Sequence, residues 1–386
     1  LSRQILFDHQ EKYLDELPLY EGGRWPRTCL YYRTGAGKTL TSLLAIQAWG
    51  HDLVTVIAPP ATHDAWQAQG KELDITVMPM SHAKFRMKDT KLSRRMPLII
   101  DEFHLLGGVK GKGFRKMQAL ARGLEAPLQL LSATPNWNDA ERVYCVHSIL
   151  NPTATKGGYI NWLYENCRTE QDPFSQTPKV VAFRDYVDAA HFLAGLPNVW
   201  HLPDTRVVDI EDIKYAQKIP DEFYEWGYDR RNHRAVASLM EARHTVRLQG
   251  LVNDHGHVHA HVMAEVIEVL GRHDTVLIYC DRATVAKALA RTLGKYGIEC
   301  NLVTGDSTRG QKLSTIDGFR SGDVGILVGT ATLATGTDGL DKVCKTLLIV
   351  DDTEDDSLRR QLIGRILPRG VEAPIDDRKI YRLVPS

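Results

Sequence analysis

The residues Thr34-Gly35-Ala36-Gly37-Lys38-Thr39 lie between an apolar run, TCLYY (28–32), and an apolar-periodic stretch, TLTSLLAIQAW (39–49). A glycine turn between a strand and a helix can wrap phosphates with its backbone N–H groups. Gly35 and Gly37 permit the tight curvature, and the helix after them offers its positive end to an anion. Lys38 would reach the β and γ phosphates of a triphosphate, and the Thr39 hydroxyl would ligate Mg²⁺. Tyr32 stands where such loops usually begin with a small residue. A chance glycine turn would not bring strand, Lys-Thr and helix together.

A second group complements the first. PLIIDEFH (97–104) ends an apolar strand in two carboxylates. Ligands of open α/β sheets gather at the carboxyl ends of the strands, so this end can face the glycine loop. Asp101 is then the natural outer partner of a Mg²⁺ ion, and Glu102 can polarise a water for attack on the γ-phosphate. Taken alone, Asp-Glu after a strand could equally be a helix cap beside a solvated Glu.

The elements that position these residues alternate. LVTVIAPP (53–60), PLIID (97–101) and PLQLLSATP (127–135) are further β-rich runs, and repeated strand–helix order implies a parallel sheet covered by helices. Alternation resumes with TVLIYC (275–280), IECNLVTG (298–305), VGILVGT (324–330), TLLIV (346–350) and KIYRLV (379–384). The segment between is richer in aromatics, Pro and His, with turns at QDPFSQTPK (171–179) and LPNVWHLPDT (196–205). The expected fold is α/β, with parallel-sheet lobes at 1–150 and 266–386. Residues 151–265 would form the tail of the first lobe, a helical excursion and a hinge.

Composition agrees. The 386 residues exceed one compact core, and 43% apolar, 25% charged and 8% aromatic residues exclude disorder and collagen. Forty-eight Lys+Arg balance 48 Asp+Glu, so a polyanion must meet a local patch. Six scattered cysteines with no C-x-x-C pair argue against a zinc ribbon and for reduced thiols. No apolar run approaches the roughly 18 residues of a membrane span, and no signal-peptide core is present. A cytoplasmic protein is expected; Leu1 in place of Met is compatible with a processed or truncated start.

At this point the chain resembles superfamily 2 helicases and translocases. DEFH (101–104) resembles the DExH box, and LFDHQ (6–10) the segment that reads adenine, with Gln10 its amide. IAPPATHDAW (57–66) resembles a motif touching the nucleic-acid backbone, and SATP (132–135) the motif coupling hydrolysis to strand binding through Ser132 and Thr134. In the second half, LIYCDR (277–282) and NLVTGDSTRGQKLSTIDGFRSG (301–322) hold the next places. GTATLATGTDGLD (329–341) resembles the motif contacting strand and nucleotide, giving Gly336 and Asp338. QLIGR (361–365) is similar to the final arginine-bearing helix, giving Gln361 and Arg365.

The resemblance covers about 5–150 and 270–380. It implies two RecA-like lobes in tandem with a helical or irregular connecting region, and ATP and Mg²⁺ as cofactors. DEFHLLGGVKGKGFRK (101–116) and LSATPNWNDAERVYCVHSILNP (131–152) look most like the Swi/Snf-like branch and compact phage helicases. Gly364 replaces that branch's Asp and its Trp-Asn-Pro element is absent, which leaves the branch open. Gln361 and Arg365, four apart, would share a face of a helix ending near Leu367. The family's second arginine should fall at 368, where Pro368 stands; Arg369 is the alternative. Arg365 is the preferred arginine finger; capping of Asp351–Asp352 is the bland reading.

The balanced total hides an asymmetry. From Lys84 to Arg122 there are 11 Lys/Arg against three acidic residues, a local excess of +8. A charge run is usually a solvated face. For Lys110, Lys112 and Lys116, the place after the DExH box favours nucleic acid. Pro60 and Thr62, then Thr304, Gly305 and Thr330, are candidate phosphate contacts carrying no base identity. The histidines at 255, 257, 259 and 261 lack metal-site spacing and read as a hinge or helix start. Asp355 or Asp356 reads as the cap of a helix over 357–367, and DDRK (376–379) as a turn into the last strand.

The leading expectation is a DNA-dependent ATPase that moves along DNA, with ATP gripped between two lobes and little sequence preference. Strand separation and duplex translocation both remain compatible, and replication or recombination proteins are candidate partners. No membrane partner is expected, a monomer is compatible, and a phage origin would place the protein in a bacterial host. A P-loop kinase or metabolic NTPase would leave SATP and QLIGR without a role, and a non-hydrolysing ATP-gated clamp is the third alternative.

Overall fold

The computed structural model describes residues 6–133, 140–170, 179–186, 189–202, 206, 208–215, 250–253, 255–334, 339–368, 375 and 377–386. Thr134, Gly336, Asp338 and Arg369 lie outside the described residues. The chain divides into two compact units, 1–205 and 206–386.

In the first unit, strands β1 (Arg27–Tyr32), β2 (Leu53–Ile57), β3 (Thr76–Met80), β4 (Leu98–Asp101), β5 (Leu128–Ser132) and β8 (Val199–Leu202) form one sheet. The order is β3-β2-β4-β5-β1-β8, and every pairing is parallel. Successive strand residues face opposite sides, so the sheet has two apolar faces. Cys29 and Tyr31 join Phe114, Met117 and Val143 from α5 (Lys112–Arg122) and α6 (Ala140–Leu150). Leu30 and Tyr32 join Leu43, Ile46 and Trp66 from α2 (Lys38–Ala48) and α3 (His63–Glu72). β3 occupies the edge, where Pro79, with no N–H to donate, is tolerated. The order sets the carboxyl ends of β4, β5 and β1 side by side.

The second unit repeats the plan. β9 (Ile210–Tyr215), β10 (Val276–Cys280), β11 (Asn301–Val303), β12 (Ile326–Gly329), β13 (Thr346–Asp351) and β14 (Lys379–Pro385) pair in parallel, ordered β11-β12-β10-β13-β14-β9. Val276, Ile278 and Leu348 pack against α9 (Ala260–Leu270) and α10 (Ala283–Lys295), while Leu277, Leu347 and Ile380 form the opposite face. Ile316 of α11 (Arg309–Ser321) and Leu362 of α12 (Asp356–Ile363) cover that face.

The division at 205/206 falls within 151–265, the segment expected to hold the tail of the first lobe, a helical excursion and a hinge. Beyond 150, Trp162 of α7 (Gly158–Asn166), Phe183 of an antiparallel pair β6 (Cys167–Glu170)–β7 (Lys179–Phe183) and Phe192 of α8 (Ala189–Ala194) enter the first core. β8 then closes one edge of the first sheet, and β9 closes an edge of the second by pairing with β14. Among the described residues, no helix is long and apolar enough to cross a membrane.

Candidate functional site

The loop after β1 is shaped by two left-handed glycines, Gly35 at φ 79° and Gly37 at φ 76°. Gly37 is the cap residue of α2, so the first backbone N–H groups of that helix open into the loop. Thr34, Thr39 and Lys38 are half-buried, and Ala36 is buried. Lys38 Nζ donates to the Tyr32 carbonyl at 2.9 Å, lying back along the loop it would leave to meet a phosphate.

Helix α1 (Asp8–Asp15) braces this loop. Buried Gln10 donates from Nε2 to the Thr41 hydroxyl at 2.9 Å and to the Gly37 carbonyl at 3.3 Å, and its Oε1 accepts from Phe7 N at 3.0 Å. His9 Nε2 is 2.9 Å from the Ala36 carbonyl oxygen, and Tyr32 donates its hydroxyl proton to the His9 carbonyl at 3.2 Å. The unexpected Tyr32 thus ties the N-terminal segment to the loop. Phe7 stacks on His9 with ring centroids 5.7 Å apart.

At the end of β4, Asp101 is buried and accepts Trp66 Nε1 at 3.2 Å. Burial, then the neighbouring Glu102 charge, pushes its carboxyl up to about 6, while Lys38 and Trp66 pull the other way. The influence of Lys38 puts the ammonium and the carboxylate in one electrostatic site. Glu102 has φ 50°, rare for a non-glycine residue and found where a site over-determines its backbone. Its Oε2 lies 3.4 Å from His104 Nδ1 but is buried without a hydrogen bond. His104 Nδ1 also sits 3.2 Å from the Ser132 hydroxyl, linking β4 to the end of β5.

An orphaned carboxylate oxygen, a buried Asp and a left-handed glycine loop are a donor set that fits Mg²⁺ and a triphosphate. Thr39 and Asp101 would hold the ion. Trp66 and His104 were not singled out by sequence. Trp66 falls inside the 57–66 motif, and His104 is the last letter of the DExH box.

The basic candidates separate. Lys110 and Lys112 are exposed. Lys116 turns inward: Nζ donates to the carbonyls of Met87 and Thr90, each at 2.6 Å, and lies 5.2 Å from the Phe85 ring centre. Pro60 is exposed and Thr62 half-buried in the 3-10 turn Pro60–Thr62 before α3, where Thr62 Oγ1 donates to Pro59 O at 2.9 Å.

In the second unit, Thr304, Gly305 and Thr330 come together at the carboxyl ends of paired β11 and β12, where Thr330 N donates to Val303 O at 3.2 Å. Gln361 is buried on α12. The shared helix face expected for Gln361 and Arg365 does not form as such. The helix ends at Ile363, and Arg365 and Ile366 continue in tighter turns, with i→i−3 bonds to Leu362 and Ile363. Gly364 and Pro368 both weaken helix here. Arg365 Nε donates to Ala334 O at 3.0 Å. Arg282 pairs bidentately with Asp351, and Arg359 and Arg382 reach Asp352. Asp355 Oδ1 accepts Leu358 N at 3.2 Å, capping α12. His259 is the cap residue of α9, and His257 Nε2 lies 2.7 Å from Lys295 Nζ.

Residues 261–369 match the family described as helicase conserved C-terminal domain. No curated protein sequence matches the chain. S. cerevisiae Dbp5 bound to RNA and ADP BeF3 is similar at 17% identity and TM-score 0.58, over 100% of this chain and 85% of that one. A Leu-to-Val variant of Dbp5 with the same ligands gives 16% and 0.58, over 99% and 84%. The Sulfolobus solfataricus SWI2/SNF2 ATPase core with dsDNA gives 14% and 0.41, over 99% and 88%, too slight a likeness to bear on the fold. With Dbp5, the fold is that of two RecA-like lobes in tandem.

Proposed function

We propose that the protein is a nucleic-acid-dependent ATPase of the superfamily 2 helicase type that moves along DNA. One observation carries the reading: Lys38, Asp101 and Glu102, with its unbonded carboxylate oxygen, gather at one carboxyl edge of the first sheet. The helicase C-terminal match over 261–369 supports it independently.

In this reading the backbone N–H groups of 34–39 and Lys38 hold the phosphates, while Thr39 and Asp101 hold Mg²⁺. The ion supplies charge neutralisation on the phosphate oxygens. Glu102 Oε2 accepts a proton from the attacking water, and His104 and Ser132 hold Glu102's loop to β5. Gln10 fixes the loop from beneath. Arg365, with Arg369 as the alternative, and Gly336 and Asp338 complete the nucleotide site. Thr134 shares the coupling role with Ser132. Pro60, Thr62, Lys110, Lys112, Thr304, Gly305 and Thr330 contact phosphates without reading bases.

DNA is favoured over RNA by the resemblance of 101–116 and 131–152 to the Swi/Snf-like branch; RNA in the Dbp5 structures makes RNA the control that matters. ATPase rates measured without polynucleotide and with single strand, duplex, fork and RNA test the proposal. Stimulation by DNA, lost in Arg365→Ala with ATP binding retained, is expected. A rate indifferent to every polynucleotide would overturn the motor reading in favour of a small-molecule NTPase. Release of a strand from the fork separates unwinding from translocation.

A further inference from the structure

At the amino-terminal ends of β1, β5 and β8, a cavity of about 1080 Å³ opens in the first unit, lined among others by Arg24, Arg27, Arg122, Lys156, Tyr20 and Trp25. It lies at the opposite end of β1 from the glycine loop, about 20 Å away at roughly 3.3 Å per strand residue. The two sites are distinct.

Its charge is one-sided. Among the described residues, the sole carboxylate lining it, Glu125, is engaged by Arg95 Nε at 3.2 Å. Among the described residues, no carboxylate forms an ion pair with Arg24, Arg122 or Lys156, and all three side chains are exposed. Arg27 is committed at its base, donating to the Ile149 carbonyl at 3.0 Å and to the Ala121 carbonyl. Burial, then the charge of Arg24, lowers its pKa, which marks two guanidiniums close enough to repel. Helix ends explain part of this, since Arg27 and Arg122 lie at the carbonyl ends of α5 and α6. They do not explain Arg24 or Lys156.

Nor do they explain the aromatic wall. Tyr20 is 55% exposed, and its ring centre lies 4.9 Å from that of Trp25. Glu21 and Arg24 bridge across Gly22 and Gly23, both left-handed, so a tight turn fixes the pair. Cations beside held aromatic rings are what a nucleotide's phosphate and base together require. The volume suits such a ligand.

We propose that this cavity binds a nucleotide unit, its phosphate against Arg24, Arg122 and Lys156 and its base against Tyr20 and Trp25. The unit belongs either to a free nucleotide or to a strand; only the strand form rests on the proposed function.

The test uses the full chain with two probes, radiolabelled ATP in equilibrium dialysis and a fluorescent single-stranded oligothymidine titrated at several salt concentrations. Arg122→Glu with Lys156→Glu, and separately Arg24→Glu, reverse exposed charges, while Arg122→Lys with Lys156→Arg keeps them. Two equivalents of ATP, one lost in Lys38→Ala and the other in the reversed variants, identify the free nucleotide. One equivalent, with the oligonucleotide's log–log salt slope about 1.4 shallower in the double reversal, identifies the strand. The charge-keeping variant retains wild-type behaviour in both cases. If the reversed variants, folded by thermal melting, keep both stoichiometry and slope, the proposal falls. Lys38→Ala binding ATP undiminished would instead sink the reading of the glycine loop.

Discussion

The Gln10 amide presses on the backbone of Gly37 so closely that a Cβ there would come within 2.5 Å of Nε2. The glycine loop is therefore built from two distant pieces of chain, α1 and the turn after β1. Gln10→Ala removes donors to Gly37 and Thr41 and the acceptor for Phe7. Such buried bonds are worth about 1–3 kcal/mol when one partner is removed. ATP affinity is expected to weaken by about tenfold per 1.4 kcal/mol of that loss, read by isothermal calorimetry. Unchanged affinity would separate Gln10 from the loop's geometry.

Glu102 combines a left-handed backbone with a buried carboxylate oxygen that lacks a hydrogen bond. Glu102→Gln preserves shape and removes the proton acceptor. DNA-stimulated turnover should fall by about 10²–10⁴-fold with ATP affinity unchanged, measured by phosphate release beside direct binding. Turnover within a few-fold of wild type would move the base elsewhere.

These two sites were unequally legible. The strand–glycine–helix order around Lys38 and the carboxylates after β4 are local patterns, so sequence reaches them. The bracing by Gln10 depends on Thr41, 31 residues away, and has no local signature. Two edge strands, β3 and β9, were hidden for a related reason. β3 carries Pro79, and β9 reads IEDIKY; neither is a strongly apolar run, and each becomes a strand through a remote partner, β2 or β14. α12 stops at Ile363, four residues short of the expected Leu367, because Gly364 weakens the helix before Pro368 can end it.

Lys116 shows why a charge run must be divided by what each side chain touches. Its ammonium serves the carbonyls of Met87 and Thr90 and the Phe85 ring, whereas Lys110 and Lys112 are exposed. Lys116→Ala should cost about 1–3 kcal/mol of stability and leave the salt slope of DNA binding unchanged. Lys110→Ala with Lys112→Ala should do the reverse, making the slope about 1.4–1.8 shallower with an unchanged melting point. Equal slopes in all variants would remove these lysines from the DNA path.

Acid stability is expected to depend on His82, the first residue of α4 (His82–Arg86). Burial first, then the charges of Arg86, His104 and His63, lowers its pKa from 6.5 to about 4, against a raising hydrogen bond with the Asp101 backbone. The unfolded chain takes up this proton as pH falls below 6.5, whereas the folded chain resists until about 4. The neutral ring's contribution is therefore complete above pH 6.5, declines between 6.5 and about 4, and is gone below. At about 1.4 kcal/mol per pH unit over this interval, the decline amounts to at most roughly 3–4 kcal/mol. Urea midpoints at pH 7, 6 and 5 should fall steadily for the natural chain and more shallowly for His82→Asn, which cannot be protonated. Parallel declines in the two would assign the acid sensitivity to other groups.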